Sequence, residues 1–420
     1  MRKYILMAYN ITGMGGGQQY VYNKVKYLTA KGYNTTVFSQ IRGELVIRDF
    51  LRFNTQIIPA LKYAPTCFSE KYREHILEIL AQGCEDAEEV LIESVTGVYE
   101  TQWAELLAKR VNGKHICFNL QEQQNKTYSK DTLAFLYFKY QRKELYGIVP
   151  ESVGLIFKGI YEIADSADYR FVANCINVVD KTMEYTGPVL PKADYRIGCI
   201  WRTNKEGFLQ TIYNLIPFIE EHPQSTFSVV VIGNGSPGNE EKAAKCLEAY
   251  KNVQIVFLGY MYPIPLELLK KMDVFISTAG SASVSAMYDI PTISVTTKSS
   301  EGTEEFIPIG ILNYTTIRAV VPERSDKSLR DYLQMVLFEN YCTTHPNLGK
   351  KWLDDEAFDK EYQRELSFFD NIREKRYYPV EYIRPQGWLE KGYCLVGRIF
   401  GCRVLSAVDS FCHRIKSLKN

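Results

Sequence analysis

The chain has 420 residues, of which 46% are hydrophobic and 24% are charged, and its formal net charge is +1. This length exceeds what one ordinary hydrophobic core organises, so we expect two domains. The near-neutral charge gives no electrostatic reason for a nucleic-acid partner, and no run reaches the roughly 20 apolar residues that a membrane span needs.

The first half of the chain alternates β-rich and helical segments, the order that a parallel sheet requires. The opening segment, MRKYILMAYN, is expected to contain the first buried strand rather than a secretion signal. We predict strands at Lys3–Ala8, Asn34–Ser39, Glu89–Ile92 and His115–Leu120, and helices at Gln18–Lys31, near Glu100–Val111 and at Asp131–Tyr146.

A second α/β block follows a segment that is typical of a linker. Thr186–Lys192 carries two prolines and a glycine between β-rich runs. We therefore predict an N-terminal domain over 1–187, a second domain over 188–370 and a helical tail over 371–420. The second block opens with a strand at Arg196–Ile200, a helix at Gly207–Glu221 and a strand at Phe227–Ile232.

The segment 252–295 repeats the strand–helix alternation most clearly. Strands are predicted at Val253–Leu258, Asp273–Ser277 and Pro291–Val295, with helical runs between them. In parallel sheets, ligands bind beyond the carboxyl ends of the strands. The loops that follow the first two strands, Gly259–Tyr260 and Thr278–Ser285, are therefore predicted to form a binding site.

The ten cysteines are scattered singly, without a CxxC pair. Several lie inside β-rich runs, where a free thiol behaves as a small buried hydrophobic group. This distribution favours neither a zinc site nor a disulfide framework, and it is typical of a reducing, cytoplasmic compartment.

The pieces FLGY, MDVFIS, SAM and PTISV stand in an order and spacing that resemble the donor-sugar half of GT-B glycosyltransferases. The resemblance is to the retaining, family 4-like group 1 enzymes of bacterial polysaccharide biosynthesis. It implies an α/β fold of two doubly wound, Rossmann-like domains facing a cleft, with the acceptor on the N-terminal side. It also implies a UDP- or GDP-sugar donor, a glycan or lipid-linked oligosaccharide acceptor, and no bound cofactor or metal.

The glycine-rich loop after the first strand is the first candidate site. Glycine lets backbone amides approach a ligand closely, and a helix start adds partial positive charge. The resemblance implies that Gly15, Gly16, Gly17 and Gln18 face the donor phosphate and sugar, with Gln18 replacing the commoner glutamate. A tight turn that only lets the helix pack is the alternative.

Arg202 and Lys205 follow the first strand of the second block. A diphosphate leaving group develops negative charge, and cations placed there lower the barrier. The resemblance implies this role for both residues. Lys205 comes two residues earlier than the related lysines, and Trp201 stands where glycine is usual. Solvated surface charge is the alternative for both residues.

The serine-rich loop departs from the family. Many relatives carry two glutamates here, and both are serines in this chain, Ser277 and Ser285. Serine cannot supply a carboxylate. The loop is instead expected to offer backbone amides to ribose and phosphate, and a purely structural turn is the alternative. The remaining donor-site residues implied by the resemblance are Gly233, Gly259, Tyr260, Gly280, Ser281 and Ser283.

Carboxylates and amides that follow strands are candidates for acid–base chemistry. In the N-terminal half these are Glu122, chosen as the candidate catalytic base, with Glu93, Asn119 and Gln121 nearby. In the second half, Glu301, Glu304 and Glu305 follow the Pro291–Val295 strand, and Glu305 loosely fits a family turn, so the resemblance implies that Glu305 is a donor-binding residue. A plain surface position is the alternative for each carboxylate.

The tail is predicted to be an amphipathic helix over Leu395–Leu418. One stripe is apolar, and basic residues lie around it, so the helix could dock on the anionic inner face of a membrane or pack back on the protein body. The stripe consists of Val396, Phe400, Val404, Val408, Phe411 and Ile415, and the basic residues are Arg398, Arg403, Arg414, Lys416 and Lys419.

These features together predict a cytoplasmic, metal-independent glycosyltransferase of cell-surface polysaccharide assembly, for capsule or O-antigen. Two alternatives stay open. The chain could be a non-catalytic GT-B subunit that lost the glutamate pair, or a sugar-nucleotide epimerase, although its few histidines disfavour the latter.

Overall fold

The computed structural model describes the chain except for residues 1, 41–42, 44, 96, 122–126, 149, 164–166, 301–302, 317–326, 349–354 and 418–420. The chain forms two compact units. The first consists of Met1–Cys175 and Asp359–Asn420, and the second of Ile176–Phe358. These bounds differ from the predicted ones, because the segment 186–192 lies inside the second unit and the tail belongs to the first.

The first unit contains a six-stranded sheet in which every neighbouring pair is parallel, in the order β3-β2-β1-β4-β5-β6. The central strands β1 and β4 are buried along nearly their whole length, as expected for a sheet covered on both faces. The strands are β1 Arg2–Ala8, β2 Asn34–Ser39, β3 Asn54–Ile57, β4 Glu89–Val95, β5 Lys114–Asn119 and β6 Leu145–Gly147. The first helices of the unit are α1 Gly16–Ala30, α2 Glu70–Ala81, α3 Val98–Val111, α4 Lys130–Gln141 and α5 Pro150–Phe157.

The predicted helix at Asp131–Tyr146 was wrong in its last turn. Helix α4 ends at Gln141, and the chain turns at Lys143, which has a positive φ of 55°. The following residues form β6 and pair with β5, Cys117 lying opposite Leu145. Pairing with a distant strand overrode a local sequence that is compatible with a helix.

Two clusters of buried charges lie on opposite faces of this sheet, because successive strand residues point to opposite sides. On one face, Lys24 of α1 contacts Glu93 of β4 at 3.2 Å and also pairs with Glu365. On the other face, Lys139 of α4 bonds Glu105 of α3 at 3.0 Å and Glu144 at 2.6 Å. All of these side chains are almost completely buried.

The C-terminal segment returns to the first unit through two helices, α12 Asp355–Asp370 and α13 Gly387–Ser417. The boundary between the units at 358/359 falls inside α12. The predicted tail helix is therefore present and begins earlier than expected, although Gly401 is non-helical and kinks it. Short 3-10 turns complete the unit at Arg48–Arg52, Pro59–Lys62, Pro65–Cys67, Ala167–Tyr169 and Val380–Tyr382.

The second unit repeats the doubly wound pattern with strand order β10-β9-β8-β12-β13-β14. All neighbouring strands are parallel except β13 and β14. The strands are β7 Val179–Asp180, β8 Tyr195–Ile200, β9 Phe227–Ile232, β10 Val253–Phe257, β11 Ile264–Pro265, β12 Val274–Ser277, β13 Thr292–Ser300 and β14 Thr303–Ile311, of which β7 pairs only with β11. The helices are α6 Glu206–Glu221, α7 Pro237–Glu248, α8 Leu266–Leu269, α9 Ala279–Ala286, α10 Leu329–Leu337 and α11 Tyr341–Thr344.

The last strand pair corrects a second prediction. The strand expected at Pro291–Val295 continues to Ser300 and is followed by the antiparallel strand β14. Glu305 therefore lies on β14, in register with Lys298, and not in a loop. The two doubly wound α/β units predicted from the sequence are confirmed. In the described part of the chain, no helix is both long and apolar enough to cross a membrane.

Candidate functional site

Each unit has one topological switch point, where the strand order reverses and a crevice opens at the carboxyl edge of the sheet. In the first unit this point lies between β1 and β4, and in the second between β8 and β12. Ligands of doubly wound sheets bind at such crevices. The loops that follow these four strands are therefore the candidate site of each unit.

Helix capping differs among the described helices, and the short helices α8 and α11 also begin without a side-chain cap. The four helices that follow the switch-point strands, α1, α3, α6 and α9, begin without a side-chain cap. By contrast, a serine hydroxyl caps α2, α4, α7 and α10. Uncapped first-turn amides at a helix start can bind an anion. For the residues that the structure describes, both crevices are thus bordered by helix starts whose N-cap residue makes no side-chain capping hydrogen bond.

In the second unit, the loop after β8 places two cations at the crevice. Arg202 is exposed, and Lys205 is exposed at the N-cap position of α6. Thr203 fixes the loop from within, because its N–H donates to the Asn234 carbonyl at 3.1 Å and its hydroxyl donates to Glu240 at 2.7 Å. The backbone holds the loop in place while both cationic side chains face solvent.

Gly233 and Gly259 form the floor of the loops after β9 and β10. The Gly233 N–H donates to the Gly259 carbonyl at 2.8 Å. Gly233 has φ of 134°, and a Cβ there would overlap the backbone carbonyl oxygen of Trp201. Gly259 also has a positive φ, and Tyr260 beside it is exposed. Glycine at 233 is therefore required both by conformation and by space.

We expect Gly233→Ala to destabilise the second unit by about 2 kcal/mol or more, because strain and a backbone clash add. The measurement is thermal melting with and without a nucleoside diphosphate. Gly238→Ala is the matched control, since a Cβ added at Gly238 would meet nothing within 4 Å. Equal melting temperatures for the two variants would contradict this assignment.

The serine loop after β12 divides into buried and accessible residues. Ser277 is fully buried, and its hydroxyl accepts a hydrogen bond from the Ile200 N–H at 3.1 Å. Ser285 is also fully buried, and its hydroxyl lies 2.8 Å from that of Thr292. Ser277 and Ser285 thus bond to the protein itself.

The accessible part of this loop is the first turn of α9. Gly280 and Ser281 are half-buried there, while Ser283 is buried. Ala279 has a positive φ of 46°, a strained conformation for a residue with a side chain. Such strain at an uncapped helix start, beside a switch point, is typical of ligand-binding loops.

In the first unit, the glycine loop lies at the end of β1. Gly15 is the uncapped N-cap of α1, Gly16 is exposed, and Gly17 is half-buried. The loop is braced internally, because the Thr12 N–H donates to Asn10 Oδ1 at 2.7 Å and Gln18 Nε2 approaches the Thr12 carbonyl at 3.4 Å.

Two of the described N-terminal candidates for acid–base chemistry, Glu93 and Asn119, are buried and bonded within the protein. Glu93 is fully buried in the Lys24 cluster, where Tyr20 donates to it at 2.8 Å. The Asn119 side chain is buried and accepts from the Gln121 N–H at 3.1 Å. Glu122 and Glu301 lie outside the described residues, and the side chain of Glu304 is not described either.

Sequence reasoning missed one polar group near the first crevice. Glu100, in the first turn of α3, is buried, and Gln40 at the end of β2 donates a hydrogen bond to its carboxylate. Gly97, the N-cap of α3, has no room for a Cβ because the Glu100 carboxylate fills that space. The sequence SVTGVYE could have indicated this position, because it reads as a strand end followed by a glycine and a helix start.

Among the described residues, no group of three histidine, cysteine or acidic side chains could hold a metal ion. No protein-family model matches the sequence. No curated protein matches it significantly either.

Solved structures of similar fold were found. A glycosyltransferase from Rickettsia africae ESF-5 is 12% identical, with a TM-score of 0.55, covering 89% of this chain and 100% of that one. A TarM variant from S. aureus, in complex with fondaparinux, alpha-GlcNAc-glycerol and UDP, is 10% identical, with a TM-score of 0.54 and coverage of 88% and 100%. Anabaena Alr3699/HepE in complex with UDP is 12% identical, with a TM-score of 0.52 and coverage of 88% and 99%. The chain therefore has the GT-B fold.

Proposed function

We propose that this protein is a glycosyltransferase that moves a sugar from a nucleotide-diphosphate sugar to a glycan or lipid-linked acceptor. The observation that carries the proposal is the crevice between β8 and β12. Two uncapped helix starts, those of α6 and α9, border it, and Arg202 and Lys205 extend from the loop beside it.

The chemistry of transfer explains this arrangement. Breaking the bond between sugar and diphosphate leaves negative charge on the diphosphate, and preorganised amides and cations stabilise that charge. Arginine can hold two phosphate oxygens at once, whereas lysine acts as a point charge. In this proposal the α6 and α9 amides and Arg202 bind the diphosphate, and Lys205 adds charge. Gly259 and Tyr260 lie near the base, with Gly280 and Ser281 near ribose and phosphate.

The donor and acceptor follow from similar proteins by analogy. The TarM and HepE structures contain UDP, and the TarM variant also contains a glycan and a GlcNAc-glycerol. We propose a UDP-sugar ahead of a GDP-sugar, and a hydroxyl acceptor on a glycan or lipid-linked oligosaccharide of capsule or O-antigen assembly. We also propose that the chain works in the cytoplasm without a metal, Glu122 and Glu305 being further candidate site residues.

The test measures the melting temperature of the protein with UDP, GDP, CDP and ADP. The same measurements are repeated on the variant Arg202→Ala. A ligand that binds only the folded state raises the melting temperature. We expect one diphosphate to do so, and we expect Arg202→Ala to weaken its binding about tenfold or more. The control is Arg330→Ala, whose exposed guanidinium pairs with Glu221 at the far end of α6. No shift with any nucleotide would overturn the proposal.

One observation favours a second candidate, a non-catalytic GT-B subunit. The two serines at the family's glutamate positions are buried and bonded within the protein, so neither supplies a charge to a donor. Donor binding without sugar release, in the presence of varied acceptors, would support this alternative.

A further inference from the structure

Helix α13 carries six apolar side chains that are exposed on both sides of its non-helical Gly401. We call this set the α13 ridge. Its members are between 42% and 83% exposed. A contiguous apolar patch on a protein surface is typical of an interaction site, whereas single exposed apolar residues are not. The ridge consists of Trp388, Leu395, Ile399, Phe400, Val404 and Phe411.

The opposite face of α13 is fixed on the first unit. Cys394, Cys402 and Leu405 are buried there, and Gly397 packs so closely on the Cys67 carbonyl that a Cβ would overlap it. Asp409 is also buried and binds three groups, the Lys62 ammonium and the hydroxyls of Tyr63 and Tyr393. Packing of the buried side chains therefore holds the ridge towards solvent. The same helix packs on the protein body and leaves apolar side chains exposed for docking, so the two alternatives predicted for the tail are compatible.

Charge distinguishes the ridge from an ordinary protein interface. Lys391 and Arg403 are exposed along the same stretch of helix, and so is Arg398, whose Nε donates to the Thr66 carbonyl at 3.1 Å. The acidic residues of α13 are Glu390 and Asp409, and both are engaged with the body, Glu390 accepting from Tyr99 at 2.5 Å. Beyond Asp409 the sequence adds Arg414 and Lys416 and no acid. Exposed apolar side chains with exposed cations beside them on the same helix complement an anionic lipid surface.

We propose that the α13 ridge docks the protein on the surface of an anionic phospholipid bilayer. The large apolar side chains would enter the boundary between headgroups and acyl chains, while the lysine and arginine side chains reach the lipid phosphates. Docking would bring a lipid-linked acceptor close to the protein, and this benefit rests on the proposed function. Binding to the bilayer itself does not depend on the proposed function.

The test is co-flotation of the full chain with vesicles of phosphatidylcholine alone or mixed with phosphatidylglycerol. We expect binding to the mixed vesicles only, weakened by salt. Phe400→Ser combined with Phe411→Ser should reduce it about tenfold or more, because two exposed aromatic anchors are lost. Lys391→Glu combined with Arg403→Glu should reduce it similarly.

A matched control loses two apolar side chains elsewhere. Leu51 and Val189 are 75% and 94% exposed, so Leu51→Ser with Val189→Ser should leave flotation unchanged. Failure of the parent to float, or equal flotation of the ridge variants, would overturn the inference. Self-association that is lost only in the ridge variants, without lipid binding, would assign the ridge to a second copy and also overturn it. Nucleotide-induced melting shifts, measured on the same variants, distinguish this failure from failure of the donor site.

Discussion

Replacing Lys24 by methionine should destabilise the first unit by about 3–5 kcal/mol, because the change leaves Glu93 and Glu365 unpaired in a buried site. The Lys24 ammonium contacts both carboxylates and lies within 5.8 Å of the centres of four aromatic rings. Burial by itself lowers the pKa of Lys24, but Glu365 and Glu93 raise it above its ordinary value. The measurement is urea unfolding at pH 8, with the transition of each unit followed separately.

The chain offers a matched control for this substitution. Lys31 also joins α1 to α12, through Asp359 at 3.3 Å, but both side chains are nearly half exposed. Lys31→Met should therefore cost less than about 1 kcal/mol. Replacing Lys24 by methionine together with Glu93→Gln and Glu365→Gln should recover much of the loss, because no unpaired charge then remains. A cost for Lys24→Met no larger than that for Lys31→Met would contradict the buried-charge interpretation.

Glu365 should make the stability of the first unit fall as the pH rises from about 4.5 to 7. Burial, reinforced by Glu93, raises the pKa of Glu365 to about 7 although Lys24 opposes the shift. Within the described residues its Oε1 has no hydrogen-bond partner. Between the ordinary pKa of 4.5 and the folded value, the native state retains a proton that the unfolded chain has released. This stabilisation is complete below pH 4.5 and is lost through pH 7, amounting to about 3 kcal/mol.

The experiment compares unfolding free energies of the parent and Glu365→Gln from pH 4.5 to 8. The difference between the two curves is the useful quantity, because His115 acts in the opposite direction. Burial and Lys139 lower the pKa of His115 to about 4, so its contribution is lost as the pH falls below 6.5. The contribution of His115 is the same in the parent and in Glu365→Gln, so it cancels in the difference between their unfolding free energies. A flat difference curve for Glu365→Gln would contradict the prediction.

Much of the fold was determined by local sequence. Strand and helix periodicity depends on neighbouring residues, so β1, β2, β8 and β9 and the helices that follow β1, β4 and β8 were predicted with bounds close to those observed. The glycine-rich and serine-rich loops at the carboxyl ends of strands were also predicted from the sequence, because glycine permits positive φ and close backbone approach. The motifs around FLGY and SAM predicted the GT-B fold, which the solved structures confirm.

The tertiary structure alone decided the features that depend on distant partners. Leu145–Gly147 forms a strand because it pairs with β5. Glu305, predicted to lie in a loop, belongs to β14 because that segment pairs with β13. The burial of Ser277 against Ile200, and the pairing of Lys24 with Glu365 far along the chain, have no local signature.

The switch points and the uncapped helix starts beside them likewise appear only once strand order is known, since order is a property of the sheet and not of any one segment. The local sequence therefore determined which segments become strands, helices and ligand-approachable loops, through periodicity and glycine. Long-range strand pairing and burial then decided which of those loops share a crevice, which carboxylates become buried partners of lysine, and which face of α13 remains open to solvent.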